Sequence, residues 1–287
     1  MCPSLSLIYD RIRTEEKELI NAAEKRGIYL RSIDAKDLHL TITDPSSEGD
    51  IFGDVALERC VSYFRGLHIT AILESKGVRV INRYSVASLC GNKLLSSIML
   101  AKCGIPTPKT VVAFTTEEAM RALEEMGYPA VIKPVFGSWG RLIAPLKDRE
   151  TAQAIMEHRE DMGNPLYQIY YLQEMVDRPP RDIRTVVVGD EIVASIYRYS
   201  APDDWRTNIA RGGRAEVCSL NERLREMILK AASAVGGGVL GVDAMETKSG
   251  EVIHEVNSTV EFKGAMSVSE VDIPGKIVEY ALNLAKK

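Results

Sequence analysis

Near the C-terminus two segments alternate apolar and polar residues, Gly241-Val242-Asp243-Ala244-Met245 and Val252-Ile253-His254-Glu255-Val256-Asn257, joined through Lys248-Ser249-Gly250. Alternation with period two marks half-buried strands, and the short turn between them predicts an antiparallel hairpin. Glu255 and Asn257 then share one face, and Asp243 comes opposite Glu255. Two carboxylates and an amide converging at one end of a sheet are hard ligands that suit Mg²⁺ held jointly with a substrate's phosphates. Solvated acids on the outer face of an ordinary hairpin are the plainer alternative, and the rest of the chain decides between them.

Lys133 ends the apolar run Ala130-Val131-Ile132 immediately before Pro134. A lysine in a buried strand makes sense if its ammonium faces a cleft. The next segment is Gly137-Ser138-Trp139-Gly140-Arg141. Two glycines three apart free backbone amides to approach an anion, although a plain β-turn uses the same residues. Lys93 follows Gly91-Asn92 at the start of a helix, where a cation opposes the dipole unless an anion sits there too. Between positions 178 and 214 stand seven arginines and no lysine. Arginine alone favours forked recognition of carboxylate or phosphate, against the alternative of a solvated basic rim. Asp182 and Arg184 share a strand face, while Arg206-Thr207-Asn208 and Arg211-Gly212-Gly213-Arg214 belong to a loop.

Other chemistries are excluded. Gly236-Gly237-Gly238-Val239-Leu240-Gly241 fits GxGxxG, but a helix precedes it and a strand follows, the reverse of a dinucleotide site. The glycines read as a helix stop and a tight turn. There is no GxxxxGK[ST], no GxSxG and no HExxH. The five cysteines (2, 60, 90, 103, 218) form no CxxC and sit near no histidine at zinc spacing. They read as reduced thiols, mostly buried.

These residues need a scaffold, and the periodicity supplies one. Strands at 5–9, 28–33, 54–57 and 78–82 alternate with helices at 13–23 and 61–75, which means βαβ units and a parallel sheet. Two short helices fill 85–103, and Ile105-Pro106-Thr107-Pro108 is a rigid link. An α+β lobe follows, with strands at 109–114, 130–134 and 167–175 and helices at 116–126 and 148–159. The last lobe has a hairpin (184–188, 192–197), a loop over 200–213, a helix over 221–235, the acidic hairpin and a helix over 274–286. The expected units are 1–90, 91–175 and 176–287.

The 287 residues are 45% hydrophobic and 26% charged, with a net charge of −4 and pI near 5.7, an ordinary globular composition. No bulk positive field points to nucleic acid. No apolar run approaches a membrane span and no signal peptide opens the chain, so a soluble cytoplasmic protein is expected.

Taken in order, several segments resemble the RimK-like ATP-grasp ligases from about residue 85 onward. They are Lys93, Val131-Ile132-Lys133-Pro134, the 137–141 loop, Leu172-Gln173-Glu174-Met175-Val176, Arg181-Asp182-Ile183-Arg184, Trp205-Arg206-Thr207-Asn208, Arg211-Gly212-Gly213, Gly241-Val242-Asp243 and Glu255-Val256-Asn257. Leu7-Ile8-Tyr9-Asp10, Arg13, Glu15-Glu16-Lys17 and the run Val256 to Lys263 narrow the resemblance. They are similar to the LysX/ArgX-type ligases, which load an amino acid onto the small acidic carrier protein LysW.

That resemblance implies an ATP-grasp fold behind an N-terminal Rossmann-like, pre-ATP-grasp α/β domain, with ATP and one or two Mg²⁺ ions. Lys93 and Lys133 would bind phosphates under Gly137, Ser138, Trp139 and Gly140. Glu174, Met175 and Val176 would face adenine, and Asp182 the ribose. Asp243, Glu255 and Asn257 would hold Mg²⁺. Arg184, Arg206, Asn208 and Arg211 would hold the transferred phosphate and the substrate carboxylates. The partners implied are a LysW-like carrier and glutamate or 2-aminoadipate, with a homo-oligomer, dimer or tetramer, expected. The pair after Glu-Phe-Lys marks the amino acid in that family: asparagine then a small residue for aminoadipate, glycine then phenylalanine for glutamate. Here it is Gly264-Ala265, which matches the glutamate type at the first position only and points to glutamate or to use of both amino acids. Two rivals stand beside this reading: a RimK-like ligase adding glutamate to a ribosomal protein or small molecule, and a non-catalytic nucleotide-binding regulator.

Overall fold

The computed structural model describes residues 4–44, 51–207 and 212–286. The first unit holds β1 (Leu5–Tyr9), α1 (Thr14–Lys25), β2 (Leu30–Asp34), β3 (Val55–Glu58), α2 (Tyr63–Ser75) and β4 (Arg79–Ile81). Its strands are all parallel, in the order β2-β1-β3-β4. Leu5, Leu7, Val55 and Leu57 face one side of the sheet, while Ile8 and Ala56 face the other with Ile69 and Leu73 of α2. Both faces are buried, as parallel strands require.

α3 (Tyr84–Gly91) and α4 (Lys93–Lys102) lead to the second sheet. It is built from β5 (Thr110–Ala113), α5 (Thr116–Met126), β6 (Ala130–Lys133), β7 (Ala144–Leu146), α6 (Arg149–Asp161) and β8 (Tyr170–Glu174). The strand order is β5-β8-β6-β7, antiparallel throughout. α5 and α6 bury Leu123, Ala152 and Met156 against Ile132 and Leu172.

The third unit holds β9 (Arg181–Val188), β10 (Glu191–Tyr199), β11 (Arg214–Val217), α7 (Glu222–Ala234), β12 (Val239–Thr247), β13 (Gly250–Asn257), α8 (Lys263–Met266) and α9 (Ile273–Ala285). Its antiparallel sheet runs β11-β10-β9-β12-β13. α7 covers one face through Leu224, Ile228 and Ala231 against Val187, Leu240 and Val242. The other face changes character along its strands. Val186 and Val188 of β9 and Val239 of β12 belong to the core, and Asp182, Arg184, Asp243 and Met245 carry the same face onward to line a cavity.

Three features depart from the sequence expectation. Arg214 does not sit on a loop: it opens β11, opposite Tyr199 of β10. The one-turn helix α8 stands between β13 and the last helix, after a short segment over 258–262. α9 packs between the third unit's sheet and the first unit, with Ile277, Val278 and Ala281 sharing one core with Val186, Val188 and Ile196 and with Leu5, Leu7 and Leu19. Its apolar stripe announces a buried face but does not say against what.

The first and third units are also stitched by Asn82. Its amide donates to the Val239 and Ser258 carbonyls at 2.7 and 2.5 Å, and its oxygen accepts from the Val239 N–H at 2.7 Å. Gly238 makes this approach possible. A Cβ there would lie 2.0 Å from the Asn82 oxygen, and φ is +113°.

Candidate active site

The acidic hairpin forms in the expected register, with Asp243 paired to Glu255 and Gly241 to Asn257. A bulge breaks the ladder between Asp243 and Ala244, leaving His254 without a partner across the strands. One consequence is that His254, Glu255 and Asn257 all line the same cavity, where strict alternation would turn His254 away.

That cavity has a volume of about 920 Å³, within the usual range for ligand sites, and lies among the three units. Lys93, Lys133, Gly137 to Arg141, Asp182, Arg184, Arg206, Asp243, Glu255, Asn257, Gly264 and Ala265 all face it. Glu174, Met175 and Val176 do not line it. The Met175 N–H donates to the Pro129 carbonyl at 3.2 Å, and the Glu174 carboxylate accepts from the Lys109 N–H at 2.8 Å. Asn208 and Arg211 lie outside the described residues.

The charges are arranged in pairs. Lys93 begins α4, after Asn92, whose side chain accepts from the Leu95 N–H at 3.1 Å. The anion that offsets Lys93 at this helix end is Glu255, 3.0 Å from its ammonium, which also donates to the Gly137 carbonyl at 2.7 Å. Burial would push the Glu255 carboxyl up, but the Lys93 and Lys133 cations overcome it and hold it at about 2. Lys133 donates to the Gln173 amide oxygen at 2.6 Å. Burial pulls its ammonium down to about 8, and the neighbouring Lys93 adds to the effect.

Deeper in the floor, Asp243 meets Arg184 through two contacts and Arg198 at 3.2 Å. Its burial still outweighs these cations, and its carboxyl is raised. Gly241 leaves room for the Arg184 guanidinium, since a Cβ there would come within 2.8 Å of it. Asp182 is 2% exposed and already receives Arg198 twice, at 2.8 and 2.7 Å, and the Thr207 hydroxyl at 2.6 Å. Arg198 was not singled out in the sequence, because nothing in its spacing distinguishes it from the other arginines of that stretch.

The glycine-containing loop is tied down from outside. The Trp139 indole donates to Glu261 at 2.9 Å, and Glu261 also pairs with Arg13 at 3.2 Å. Arg206 reaches the Gly140 carbonyl at 3.1 Å while held by Asp204. At the cavity's other end, Arg11, Arg141 and Lys263 face inward with no carboxylate partner among the described residues, Arg141 stacking on Trp139 at 5.0 Å. Tyr63, Phe64 and Phe136 also line the cavity and cluster together, with ring centroids 5.0 to 5.7 Å apart.

Among the described residues no three acidic, histidine or cysteine side chains form a metal cage. Mg²⁺ seldom uses one; it takes one or two carboxylates and completes its shell with water and phosphate oxygen. Asp243, Glu255 and Asn257, on adjacent registers beside phosphate-sized space, fit that requirement.

A RimK-like ATP-grasp domain model matches residues 90–281, and a LysX preATP-grasp domain model matches residues 5–89. The chain belongs to the RimK-like ATP-grasp ligases. This is an ATP-dependent carboxylate–amine ligase family, so the protein is an enzyme of that class and the fold expected from the sequence is the fold observed.

Among this family's members, the chain is 36% identical to the Glutamate--LysW ligase ArgX of Sulfolobus acidocaldarius, over 97% of this chain and 98% of that one. It is 38% identical to the Alpha-aminoadipate--LysW ligase LysX of Saccharolobus solfataricus, over 96% and 99%. A solved RimK domain ATP-grasp protein from Sphaerobacter thermophilus superposes with a TM-score of 0.79 at 27% identity, over 97% and 99% of the two chains. Within this RimK-like ATP-grasp chain no described helix is long and apolar enough to cross a membrane.

Proposed function

We propose that this enzyme joins the α-amino group of glutamate, 2-aminoadipate or both to the side-chain carboxyl of the C-terminal glutamate of a small acidic LysW-like carrier protein. The observation that carries the reading is three cations without a carboxylate partner among the described residues, Arg11, Arg141 and Lys263, facing the end of the cavity that also holds Gly264 and Ala265. An anionic chain entering there reaches the Lys93–Glu255 centre. Both proposed substrates are rich in carboxylates, and the chain's likeness to ligases for both amino acids supports the pair.

The chemistry follows from charge and position. The carrier carboxylate attacks the γ-phosphorus of ATP, forming an acylphosphate and releasing ADP. The amine then attacks the acyl carbon, phosphate leaves, and the amine proton passes to phosphate or water. Neither step needs a strong protein nucleophile; both need negative oxygens to be held close and neutralised. Lys93 and Lys133 would bind phosphate oxygens, and the amides of the 137–141 loop would cover them and exclude water, which would hydrolyse the acylphosphate. Arg184 and Arg206 would face the transferred phosphate. Mg²⁺ held by Asp243, Glu255 and Asn257 would supply further neutralisation of the phosphates.

Turnover of ATP by purified enzyme with Mg²⁺, carrier and each amino acid in turn tests the reading. ADP should form fastest with all components together and should require the carrier. ADP formation that is indifferent to the carrier would sink the proposal, and would favour a small-molecule acceptor.

A further inference from the structure

Buried polar atoms without partners are rare and call for an explanation. His254 has two. Its side chain is 9% exposed and faces the cavity, and among the described residues neither Nδ1 nor Nε2 has a hydrogen-bond partner. Oδ2 of Asp182 lies 4.0 Å from Nε2, beyond hydrogen-bond reach. The β13 bulge is what aims this imidazole inward. A donor and an acceptor are therefore held at a fixed place in the cavity wall with nothing to bond.

The strands say which end of the cavity this is. Val188 and Val239 pair across β9 and β12 at the end nearest the first unit, which Asn82 grips. Asp182 and Met245 lie toward the opposite end of the same strands, and His254 of β13 stands at the bulge one step beyond the Asp243–Glu255 pair in that direction. There the Ile253 N–H donates to the Pro106 carbonyl of the link at 2.8 Å. The metal carboxylates and Lys93 stand between this end and the cationic end at Arg11 and Lys263. If phosphates occupy the middle and the acceptor the cationic end, the nucleoside occupies the His254 end. Met245 and Ile143 supply apolar walls there. Asp182, the acid expected to meet the ribose, already holds three donors. His254 is the neighbouring polar side chain with capacity to spare.

Resting on the ligase reading above, we infer that the His254 imidazole, rather than Asp182, hydrogen-bonds a ribose hydroxyl of bound ATP. It is a nucleotide-specificity residue and takes no part in the bond-making steps.

The test is calorimetric binding of a non-hydrolysable ATP analogue and of its 2′-deoxy and 3′-deoxy forms, with Mg²⁺ and with neither carrier nor amino acid present. Wild-type enzyme should bind the ribo form about 5- to 10-fold more tightly than one deoxy form, as one net hydrogen bond gives. His254→Leu should erase that difference by weakening the ribo form alone. His254→Gln, which keeps a donor and an acceptor, should retain part of it. Unliganded His254→Leu should melt at or above the wild-type temperature, since two unpaired buried nitrogens are gone. Equal binding of all three nucleotides by wild type would overturn the inference. So would uniform weakening of all three in His254→Leu, or a lower melting temperature for that variant, either of which makes the imidazole a structural group. Absence of any nucleotide binding is a different result and would overturn the ligase reading itself.

Discussion

Lys133 shows how much a single side chain's surroundings decide. In the sequence it is an odd lysine in a buried strand; in the structure it is an ammonium drawn down to about 8 by burial, with Gln173 as its fixed partner. Bound phosphate favours the charged form and raises this value, so nucleotide affinity should be flat below pH 7.5 and fall as pH rises through about 8. Calorimetry of an ATP analogue between pH 7 and 9.5 reads this directly, and an affinity unchanged across that range would contradict it. Gly264 tests the amino-acid end at the same scale. Gly264→Asn recreates, beside Ala265, the pair that the resemblance associates with aminoadipate. A methylene is worth about 1–3 kcal/mol in a shaped pocket, so the aminoadipate-to-glutamate ratio of kcat/KM should rise about tenfold or more. A constant ratio with activity preserved would place the discrimination elsewhere. Ala265 is the poorer probe: it is 2% exposed and packed in the core shared with α9, where a larger residue costs about 1–3 kcal/mol in overpacking.

At the scale of elements, the legible parts were those fixed by local rules. A two-strand hairpin with a short turn leaves little freedom of register, so Asp243 could be set roughly opposite Glu255 before any coordinates; the turn alone puts it opposite His254, and the bulge supplies the last step. The βαβ units and their parallel sheet follow from alternating periods in the same way, whereas the strand order β2-β1-β3-β4 does not. β11 and α8 have four residues each, too few for periodicity to declare them. The His254 bulge was invisible because alternation is what the reading assumes. Nor could pattern show that Arg184 would spend its guanidinium on Asp243, or that Glu255 would be the anion Lys93 requires. Pairing across units depends on tertiary placement. The clearest inter-unit device is Asn82 against Val239 and Ser258. Asn82→Ala leaves buried backbone groups unpaired, each worth about 1–3 kcal/mol, so stability should fall by about 2 kcal/mol or more. Urea unfolding measures it, and an unmoved midpoint would mean the stitch contributes nothing.

The whole molecule places a net charge of −4 around a cavity whose far end carries cations with no carboxylate partner among the described residues. An acidic partner meets repulsion at long range and attraction at contact. Inside a Debye length of about 8–10 Å the local cations dominate, so carrier binding should weaken with added salt. Replacing Arg11 and Lys263 by glutamine should flatten that dependence; an identical salt slope in the variant would remove these two residues from the docking surface. The acceptor end draws Arg11 from the first unit, Arg141 from the second and Lys263 from the third, which makes it a property of the assembled molecule and not of any one segment. The most direct test of the account is the mass of the carrier itself. After incubation with enzyme, ATP, Mg²⁺ and glutamate or 2-aminoadipate, the intact carrier should gain one amino-acid residue, and fragmentation should locate it on the side chain of the C-terminal glutamate. ADP release with the carrier's mass unchanged would contradict the central claim.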